Sequence, residues 1–584
     1  MINMQTNQYH LSYLSSVISN APLRLKALII VRLTGFGFLF TPLIAHADYS
    51  APSWWNGDQC DSTHYTAGNG HTPVLQTTWL GVQSCGYGPY QNPYNWSDVS
   101  VTLPGASAAD YEWECTELVK RYLYIAYGAT ALSSTNGDQV VANYASRYPS
   151  KFKSISNTTD SWHGFPNVGD VISYSDVHTA IITGVTVTDQ ANGNATLTLA
   201  EQNASLSGTT TQKVIGWKIK GDIDDPNDTR SDTVTAWLTP LQWSNNSPSV
   251  TTNDSIRAMA ASSTTNAWAA GYENGSHAQP VTYLNSGSGW TKYSPTPQGS
   301  SDNYLYGIAT NSTSNAWAVG SYMSPYIQTL AYHWTGSSWG TAVTSANPGG
   351  STCTNQLNAV ALDSSSTPWA AGYYWCNGSN SEPMIQKWNG SQFVNQTITL
   401  PSGGGQLNGI SFSTSYGWAV GYSTGTGASY LIYKYSGSSW SSPTIGSISG
   451  AVLKSVAAVS DTEAWAVGYQ PNGSFTKPLI LHTTDGGSTW VEDTSFNGSY
   501  PSGYTYLNSV SADSSSDVWI VGYDETATAN IPFTMHNNGS GWKQVTTPSS
   551  NDLLRLWGVA VNSGDAWAGG QDASNGHPLT FKSL

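Results

Sequence analysis

The segment Ala464-Trp465-Ala466-Val467-Gly468-Tyr469 decides the fold, because close variants of it recur through the second half of the chain. Its tryptophan returns at spacings of 49, 52, 49, 47, 54 and 48 residues. The seven copies are Trp268, Trp317, Trp369, Trp418, Trp465, Trp519 and Trp567. About twelve residues before each copy an apolar stretch of the form Leu-x-x-Val begins, and a further aromatic residue of an outer strand follows each of the first six copies.

Each repeat of about 50 residues reads as four short strands, and seven such units predict a seven-bladed β-propeller over residues 236–584. One small twisted sheet cannot bury both of its faces, so neighbouring sheets stack around an axis and bury the repeated tryptophans between them. The last copy ends at Pro578–Leu584, one strand short. We therefore expect an outer strand near Trp243 to complete the last blade.

One turn of the propeller, Thr484 to Trp490, resembles the Asp-box hairpin of sialidase-like propellers, and we interpret it as structural. Sialidases gather three arginines on the substrate carboxylate, whereas this propeller has only Arg257 and Arg555, which argues against sialidase activity. We predict that the propeller is a recognition module or a spacer. The repeated tryptophans are assigned to the core between blades, and aromatic residues outside the repeat are the better ligand candidates. These are Tyr373, Tyr374 and Trp375.

The composition of the 584 residues supports an all-β interpretation of most of the chain. Charged residues make up 10% and aromatic residues 12%, with 25 Trp and 57 Gly. This balance excludes a disordered chain, which needs many charges and few aromatic residues, and a coiled coil, which needs Glu, Lys, Leu and Ala at heptad spacing. The net charge of −15 leaves no basic face for nucleic acid, so nucleic acid is not an expected partner.

The N-terminus, residues 1–47, has the pattern of a signal peptide. It contains basic residues but no acidic ones, an apolar run of about a dozen residues from Leu33 to Ile44, and the small-x-small site Ala45-His-Ala47. The run is short for a membrane span, although an N-terminal anchor is the alternative. We expect cleavage after Ala47 and a secreted protein without a transmembrane anchor, associated with the cell wall.

Five cysteines are present, which is an odd number for an oxidising compartment. The short separations favour Cys60–Cys85 and Cys353–Cys376 as disulfides. Cys115 is left over, and it is a buried inert thiol, an intermolecular link or a nucleophile.

The residues after Cys115 predict a helix. Leu118, Val119, Tyr122, Leu123 and Ala126 fall on one helical stripe, and Gly128 is a plausible C-terminal stop. Cys115 would then lie at the helix N-terminus, where the backbone N–H groups and the helix dipole stabilise a thiolate.

A cysteine nucleophile needs a base, and the base needs a group that orients it. Two predicted strands, one opening at His178 and the other ending at Glu201, are joined by the turn at 189–194. In an antiparallel hairpin His178 and Glu201 would face each other, and the carboxylate would favour the protonated imidazole.

Four stretches, in this order, resemble the CHAP domain: Glu114-Cys-Thr-Glu-Leu-Val-Lys-Arg-Tyr, a Val-Gly-Asp turn, His178 before a Thr-Ala-Ile-Ile strand, and Ala-Glu-Gln-Asn203. CHAP domains are papain-like cysteine amidases and peptidases that act mostly on bacterial peptidoglycan. The resemblance implies an α+β papain-like domain over 48–220, followed by a linker over 221–235.

The same resemblance assigns the site residues. Cys115 matches the nucleophile, His178 the base, Glu201 the orienting group and Asn203 the family's fourth polar residue. Glu114 stands where the family often has Gln, and Asp176-Val177 precedes the histidine where it usually has Gly. No cofactor and no metal are expected, because no cluster has zinc-ligand spacing and no phosphate-binding glycine loop occurs.

The leading hypothesis is a secreted bacterial cell-wall amidase or endopeptidase that acts on peptidoglycan, with the propeller binding wall glycan or another cell-surface glycan. The protein is expected to be a monomer. One alternative is a glutathionylspermidine-type amidase, which shares the stretches around Cys115 and Glu201. The other is an adhesin in which the propeller works and the first domain is inactive.

Overall fold

The computed structural model describes the backbone at 73–79, 82–87, 100–101 and 110–111, and most of residues 115–584. The gaps within the latter range are 133–134, 150, 160–164, 176–177, 190–191, 202–208, 221–232, 242, 251, 415, 444–445, 496–503, 526–529, 540, 548–553, 573–575 and 584. The predicted signal peptide, Cys60 and Asn203 therefore lie outside the described residues, and the Cys60–Cys85 disulfide stays a prediction. No helix in the described ranges is long and apolar enough to cross a membrane.

The first half of the described chain forms helices and an antiparallel sheet. Two small hairpins come first: β1 (Pro73–Trp79) with β2 (Val82–Tyr87), and β3 (Ser100–Val101) with β4 (Asp110–Tyr111). Helix α1 (Cys115–Tyr127), a 3-10 turn (Gly137–Gln139) and helix α2 (Val140–Arg147) follow. The sheet then uses β5 (Phe152–Ser156), β6 (Val171–Tyr174), β7 (Thr179–Asp189), β8 (Asn194–Ala200), β9 (Thr209–Ile215), β10 (Lys218–Ile219) and β11 (Val234–Pro240). The strand order is β10-β9-β8-β7-β6-β11-β5.

Helix α1 packs on one face of this sheet with the stripe that the sequence predicts. All five stripe residues, Leu118, Val119, Tyr122, Leu123 and Ala126, are buried. They share a core with α2 and with one alternate set of strand residues, which includes Val171 and Ile181. The adjacent residues Ile172 and Ile182 belong to a second core on the opposite face. The sheet is thus apolar on both sides, and α1 is held firmly against the start of β7.

Strand β11 places the boundary between the two halves later in the chain than the sequence predicted. Val234–Pro240 pairs with β5 and β6, and Trp237 lies opposite both Ile155 and Ile172. The sequence interpretation gave 221–235 to a linker and 236 onwards to the propeller. In the structure, residues 236–240 belong to the first sheet, because Trp237 and Leu238 are buried in its two cores.

The second half consists of seven small antiparallel sheets in chain order, and a single parallel pair, Thr476 with Tyr504, joins the fifth of them to the sixth. The first four contain β13 (Asp254–Ser263) to β16 (Trp290–Tyr293), β17 (Asn303–Ser312) to β19 (Tyr326–Trp334), β20 (Thr354–Leu362) to β23 (Phe393–Asn395), and β24 (Gly405–Phe412) to β27 (Trp440–Ser441). Their middle strands are β14 (Asn266–Glu273), β15 (Gln279–Asn285), β18 (Asn315–Ser324), β21 (Pro368–Trp375), β22 (Ser381–Trp388), β25 (Gly417–Ser423) and β26 (Tyr430–Tyr435).

The last three sheets contain β28 (Val452–Ala458) to β31 (Val491–Glu492), β32 (Tyr504–Ser514) to β35 (Trp542–Gln544), and β36 (Leu554–Asn562) to β38 (Pro578–Ser583). Their middle strands are β29 (Ala464–Asn472), β30 (Phe475–Thr483), β33 (Asp517–Glu525), β34 (Asn530–Asn537) and β37 (Asp565–Asp572). The seventh sheet takes its outer strand from β12 (Trp243–Asn245), which pairs with β38 through Trp243 and Ser583. This is where the sequence placed the closing strand.

The seven sheets form a closed ring. The first strand of each sheet contacts the first strand of the next, and β13 of the first sheet contacts β36 of the last. Such a cycle of innermost strands is the defining geometry of a β-propeller, and the C-terminal part of the chain is a β-propeller of seven blades.

The repeated tryptophans fill the spaces between blades. Trp418 of the fourth blade is fully buried and shares a core with Leu453 and Leu479 of the fifth. The other six repeated tryptophans are equally buried, each against the following blade or, for Trp567, against the first. Their assignment to the core is confirmed.

The glycine that ends each Ala-Val-Gly sequence is required by a β-bulge. In the fifth blade Leu453 pairs with Gly468 and Ser455 pairs with Val467, so Lys454 is an extra residue on the first strand. A Cβ atom on Gly468 would lie 1.9 Å from the carbonyl oxygen of Val452. The close backbone approach at the bulge therefore excludes every side chain at this position.

The second blade departs from the four-strand expectation. Its outer segment makes one isolated bridge, between Trp334 and Trp339, in place of a strand. Gly340 N and Val343 N still donate hydrogen bonds to the third strand of the blade. The Trp339 ring packs 5.4 Å from Trp268, which shows that the aromatic residue keeps its place although the ladder is lost.

Candidate functional site

Cys115 is the first residue of α1, as the sequence predicts. It forms no disulfide bond within the described residues and is half-buried. The helix that carries it contains three buried charged residues, Glu117, Lys120 and Arg121, and Glu117 pairs with Arg121 at 2.7 Å. Because α1 contacts β7, the N-terminus of the helix lies beside the start of that strand.

His178 and Glu201 meet at the open end of the β7–β8 hairpin. His178 directly precedes β7 and Glu201 directly follows β8, and Ile181 lies opposite Ala200 in the register. The imidazole Nε2 is 2.6 Å from a Glu201 carboxylate oxygen. The His178 side chain is 13% exposed and that of Glu201 5% exposed, so the pair is shielded from water.

The charge on His178 is set by two neighbours. Burial alone lowers the pKa of this imidazole, but hydrogen bonds to Cys115 and Glu201, together with their negative charges, raise the pKa to about 10. The histidine is therefore protonated at neutral pH, between a sulfur atom on one side and a carboxylate on the other. This chain of contacts joins the three predicted residues Cys115, His178 and Glu201.

Tyr174, which the sequence did not single out, supports the histidine. The Tyr174 ring lies 5.2 Å from the His178 ring, and Tyr174 N donates a hydrogen bond to His178 O. Asp170 ends the Val-Gly-Asp turn, where its carboxylate accepts a hydrogen bond from Asn167 N at 2.8 Å. Burial raises the pKa of Asp170 to about 7, against the effect of hydrogen bonds from Asn167 and Thr239. The Val-Gly-Asp pattern was the available signal for Asp170.

Several expected features lie beyond what the structure describes. Asn203, Glu114 and the Asp176-Val177 pair fall outside the described residues. Within the described ranges, no group of three or more His, Cys, Asp or Glu side chains is arranged to hold a metal ion.

The propeller contains the second predicted disulfide, and Cys353–Cys376 is confirmed, with the two Cα atoms 4.6 Å apart. The neighbouring Trp375 is 43% exposed. Its indole donates a hydrogen bond to Ser379 O.

The Asp-box turn is held by Asp485, which accepts hydrogen bonds from Thr489 N and Thr489 Oγ1. These bonds lower the pKa of Asp485 to about 2.

Comparison with known proteins returns solved structures of low sequence identity. No family model matches the chain, and no curated protein matches it. Among solved structures, YCF48 bound to a D1 peptide is 13% identical with a TM-score of 0.40, over 59% of this chain and 95% of that chain. The WD40 propeller domain of Doa1 is 11% identical with a TM-score of 0.39, over 59% of this chain and 97% of that chain. YCF48 from Cyanidioschyzon merolae is 12% identical with a TM-score of 0.37, over 59% and 98%. The closed ring of seven sheets described above carries the assignment of the fold.

Proposed function

We propose that the chain is a cysteine hydrolase that cleaves an amide bond, with Cys115 as nucleophile, His178 as general acid and base, and Glu201 as the group that orients His178. The observation that carries the proposal is the linked set of contacts from Cys115 through His178 to Glu201 at the N-terminus of a buried helix. A nucleophile hydrogen-bonded to a base that is itself held by a third group is the arrangement that covalent catalysis requires.

The reaction proceeds in two steps. The Cys115 thiolate attacks the carbonyl carbon of the amide, and the protonated His178 gives its proton to the departing amine as the C–N bond breaks. A thioester remains on the sulfur. Water then attacks the thioester while His178 takes a proton from it, and the carboxylic acid leaves as the thiolate is restored. The Cys115 backbone N–H, at the N-terminus of α1, would stabilise the oxyanion in both steps.

The substrate class follows from the resemblance to CHAP domains and not from the geometry alone. Peptidoglycan offers two kinds of amide: the link between muramic acid and the peptide, and the peptide bonds of the stem and cross-bridge. The predicted signal peptide would bring the enzyme to this substrate as a secreted protein. The propeller would hold the enzyme on wall glycan, because the net charge of −15 gives no general attraction to anionic wall polymers.

The test is release of soluble muropeptides from purified sacculi. We expect release by the wild-type chain and none by Cys115→Ala. Cys353→Ser is the matched control, because it removes a cysteine from the propeller while leaving the Cys115 site intact. Mass analysis of the new chain ends then distinguishes an amidase from an endopeptidase. Equal release by Cys115→Ala would refute the mechanism.

The adhesin is the second candidate, and the closed propeller is the observation that favours it. It predicts that the wild-type chain and Cys115→Ala bind sacculi equally and that neither releases soluble material. One experiment distinguishes the two candidates, because bound protein is measured in the pellet and released muropeptides are measured in the supernatant of the same sample.

A further inference from the structure

The β-bulge described for Lys454 occurs in all seven blades at the same place on the innermost strand. Each bulge leaves one extra residue that has no partner on the neighbouring strand. These seven residues, here called the axial ring, are Arg257, Tyr306, Asn358, Asn408, Lys454, Asn508 and Trp557. Because the innermost strands close a cycle, the seven bulges bring these residues together near the propeller axis.

Three members of the axial ring have a structural task. Asn358, Asn408 and Asn508 each donate a hydrogen bond from the side-chain amide to a backbone carbonyl of the next blade, at 2.7 to 2.8 Å. They join neighbouring blades around the ring. The other four, Arg257, Tyr306, Lys454 and Trp557, do not make this contact within the described residues, and all four are half-buried.

The two cations of the axial ring lack acidic partners. Neither Arg257 nor Lys454 forms an ion pair within the part of the chain that the structure describes, and Nε of Arg257 is buried without a hydrogen bond there. Burial, followed by the positive charge of Arg257, lowers the pKa of Lys454. Two positive charges therefore face one site in a chain whose net charge is −15.

Aromatic side chains surround these cations. The Arg257 guanidinium lies 4.3 Å from the Trp557 ring centre and 5.4 Å from that of Tyr272. Tyr272 in turn packs 4.8 Å from Tyr304, and Lys454 lies 5.8 Å from the Tyr469 ring.

The aromatic arc continues through the sixth blade. Tyr469 packs 5.0 Å from Tyr506, and Tyr506 lies 5.2 Å from Tyr523. Tyr523 is 5.6 Å from Trp557, which brings the arc back to Arg257. Arg555 sits on the same arc, 5.2 Å from the Tyr523 ring and 3.8 Å from Glu525.

We propose that the axial ring binds a carboxylate-bearing saccharide. Arg257 and Lys454 would take the carboxylate, since guanidinium and ammonium groups form strong charge-assisted hydrogen bonds to it. The Tyr and Trp faces would pack on the C–H faces of the sugar ring, while the phenol hydroxyls bond its hydroxyl groups. A simple anion would use the cations but not the aromatic arc, and a neutral sugar would leave both cations unpaired.

This inference rests on the binding role proposed for the propeller and is independent of the chemistry at Cys115. Within the proposed function it has a specific meaning. Cleavage of the muramic acid–peptide amide leaves a carboxylate on each muramic acid, so glycan strands stripped of peptide carry the chemical group that the axial ring would select.

The test is calorimetric titration of the full chain carrying Cys115→Ala, which cannot turn over the ligand. The probes are peptide-free N-acetylglucosamine–N-acetylmuramic acid oligomers and trigalacturonic acid, each as the free acid and as its methyl ester. We expect the free acids to bind and esterification to weaken binding by about tenfold or more, because each ester removes a charge-assisted hydrogen bond. Arg257→Gln and Lys454→Gln should each cause a similar loss.

Lys477→Gln is the matched control, because Lys477 is a more exposed lysine of the same blade as Lys454 and lies 3.9 Å from Glu492. It should bind as the parent chain does. Unchanged thermal unfolding of each variant would show that the loss is local. The proposal is overturned if no free acid binds, if esters bind as tightly as acids, or if a hexaglutamate peptide or inorganic phosphate binds as tightly as the saccharides. Retained cleavage of sacculi by the wild-type chain, measured separately, distinguishes failure here from failure of the proposed enzyme.

Discussion

Replacing Glu201 with Gln removes one negative charge from the site while keeping the size of the side chain and an oxygen that accepts a hydrogen bond. In the wild-type chain the carboxylate lies 2.6 Å from His178 Nε2, and the pKa of His178 is about 10. An opposite charge at such a distance usually contributes one to three pH units, so the pKa of His178 should fall to between about 7 and about 9 in Glu201→Gln. The change corresponds to about 1 to 4 kcal/mol of lost charge interaction.

The change also alters stability in a defined pH window. Because the pKa of His178 is raised above the value of the unfolded chain, the protonated imidazole stabilises the fold fully below about pH 6.5, and this contribution is lost as the pH rises through about 10. In Glu201→Gln this stabilisation of the fold by protonated His178 should be lost at a lower pH than in the wild-type chain. Activity that depends on the protonated His178 should end at correspondingly lower pH.

The assay is NMR titration of the imidazole signals in the labelled chain, with His178→Gln used to assign the signal. Glu463→Gln is the matched control, because it removes a carboxylate 3.1 Å from His482 in the propeller. That control should leave the pKa of His178 unchanged. A pKa of His178 below 7 in the wild-type chain, or one that does not move in Glu201→Gln, would refute the reasoning.

Three further predictions concern the propeller. Trp418→Ala should lower the free energy of unfolding by about 3 to 5 kcal/mol, since it empties a buried space between two blades, and denaturant unfolding measures this; a loss below 1 kcal/mol would contradict the assigned packing. Reducing Cys353–Cys376, or replacing both with Ser, should cost about 3 kcal/mol for a separation of 23 residues, and an unchanged melting temperature would contradict it. Burial raises the pKa of Asp524 to about 7, so this carboxyl destabilises the fold more at pH 8 than at pH 4, and Asp524→Asn should raise the melting temperature more at pH 8. An equal effect at both pH values would show that folding does not raise the pKa of Asp524.

Much of this architecture could be predicted from the sequence because its signals are periodic or local. The Trp spacing gives the blades, since each copy meets the next blade in the same way. The stripe on α1 and the turn at 189–194 are local patterns, and they were enough to place Cys115, His178 and Glu201 near one another. The assignment of these three residues as catalytic remains a prediction.

Other features depend on pairings between distant residues and left no local pattern. Strand Val234–Pro240 pairs with β5, about 80 residues earlier in the chain, and this pairing leaves no local pattern in the sequence. The acidic stretch just before the strand therefore led to the prediction of a linker. The axial ring was missed for a different reason. A β-bulge fixes the position of each member in its blade, but the residue type at that position varies, as at Arg257, Lys454 and Trp557. Because the residue type is not repeated, the sequence repeat does not reveal the ring.

The measurement that tests the central claim most directly is the intact mass of the chain mixed rapidly with peptidoglycan fragments and quenched in acid. We predict a transient adduct with the mass of the acyl part of the substrate, located on Cys115 by peptide mapping and removed by hydroxylamine as a thioester is. The adduct should be absent in Cys115→Ala. In a His178 variant that is acylated with an activated ester substrate, the adduct should accumulate, because the residue that activates water is missing. Cleavage of the fragments without any adduct on Cys115, and at the same rate in Cys115→Ala, would contradict the account.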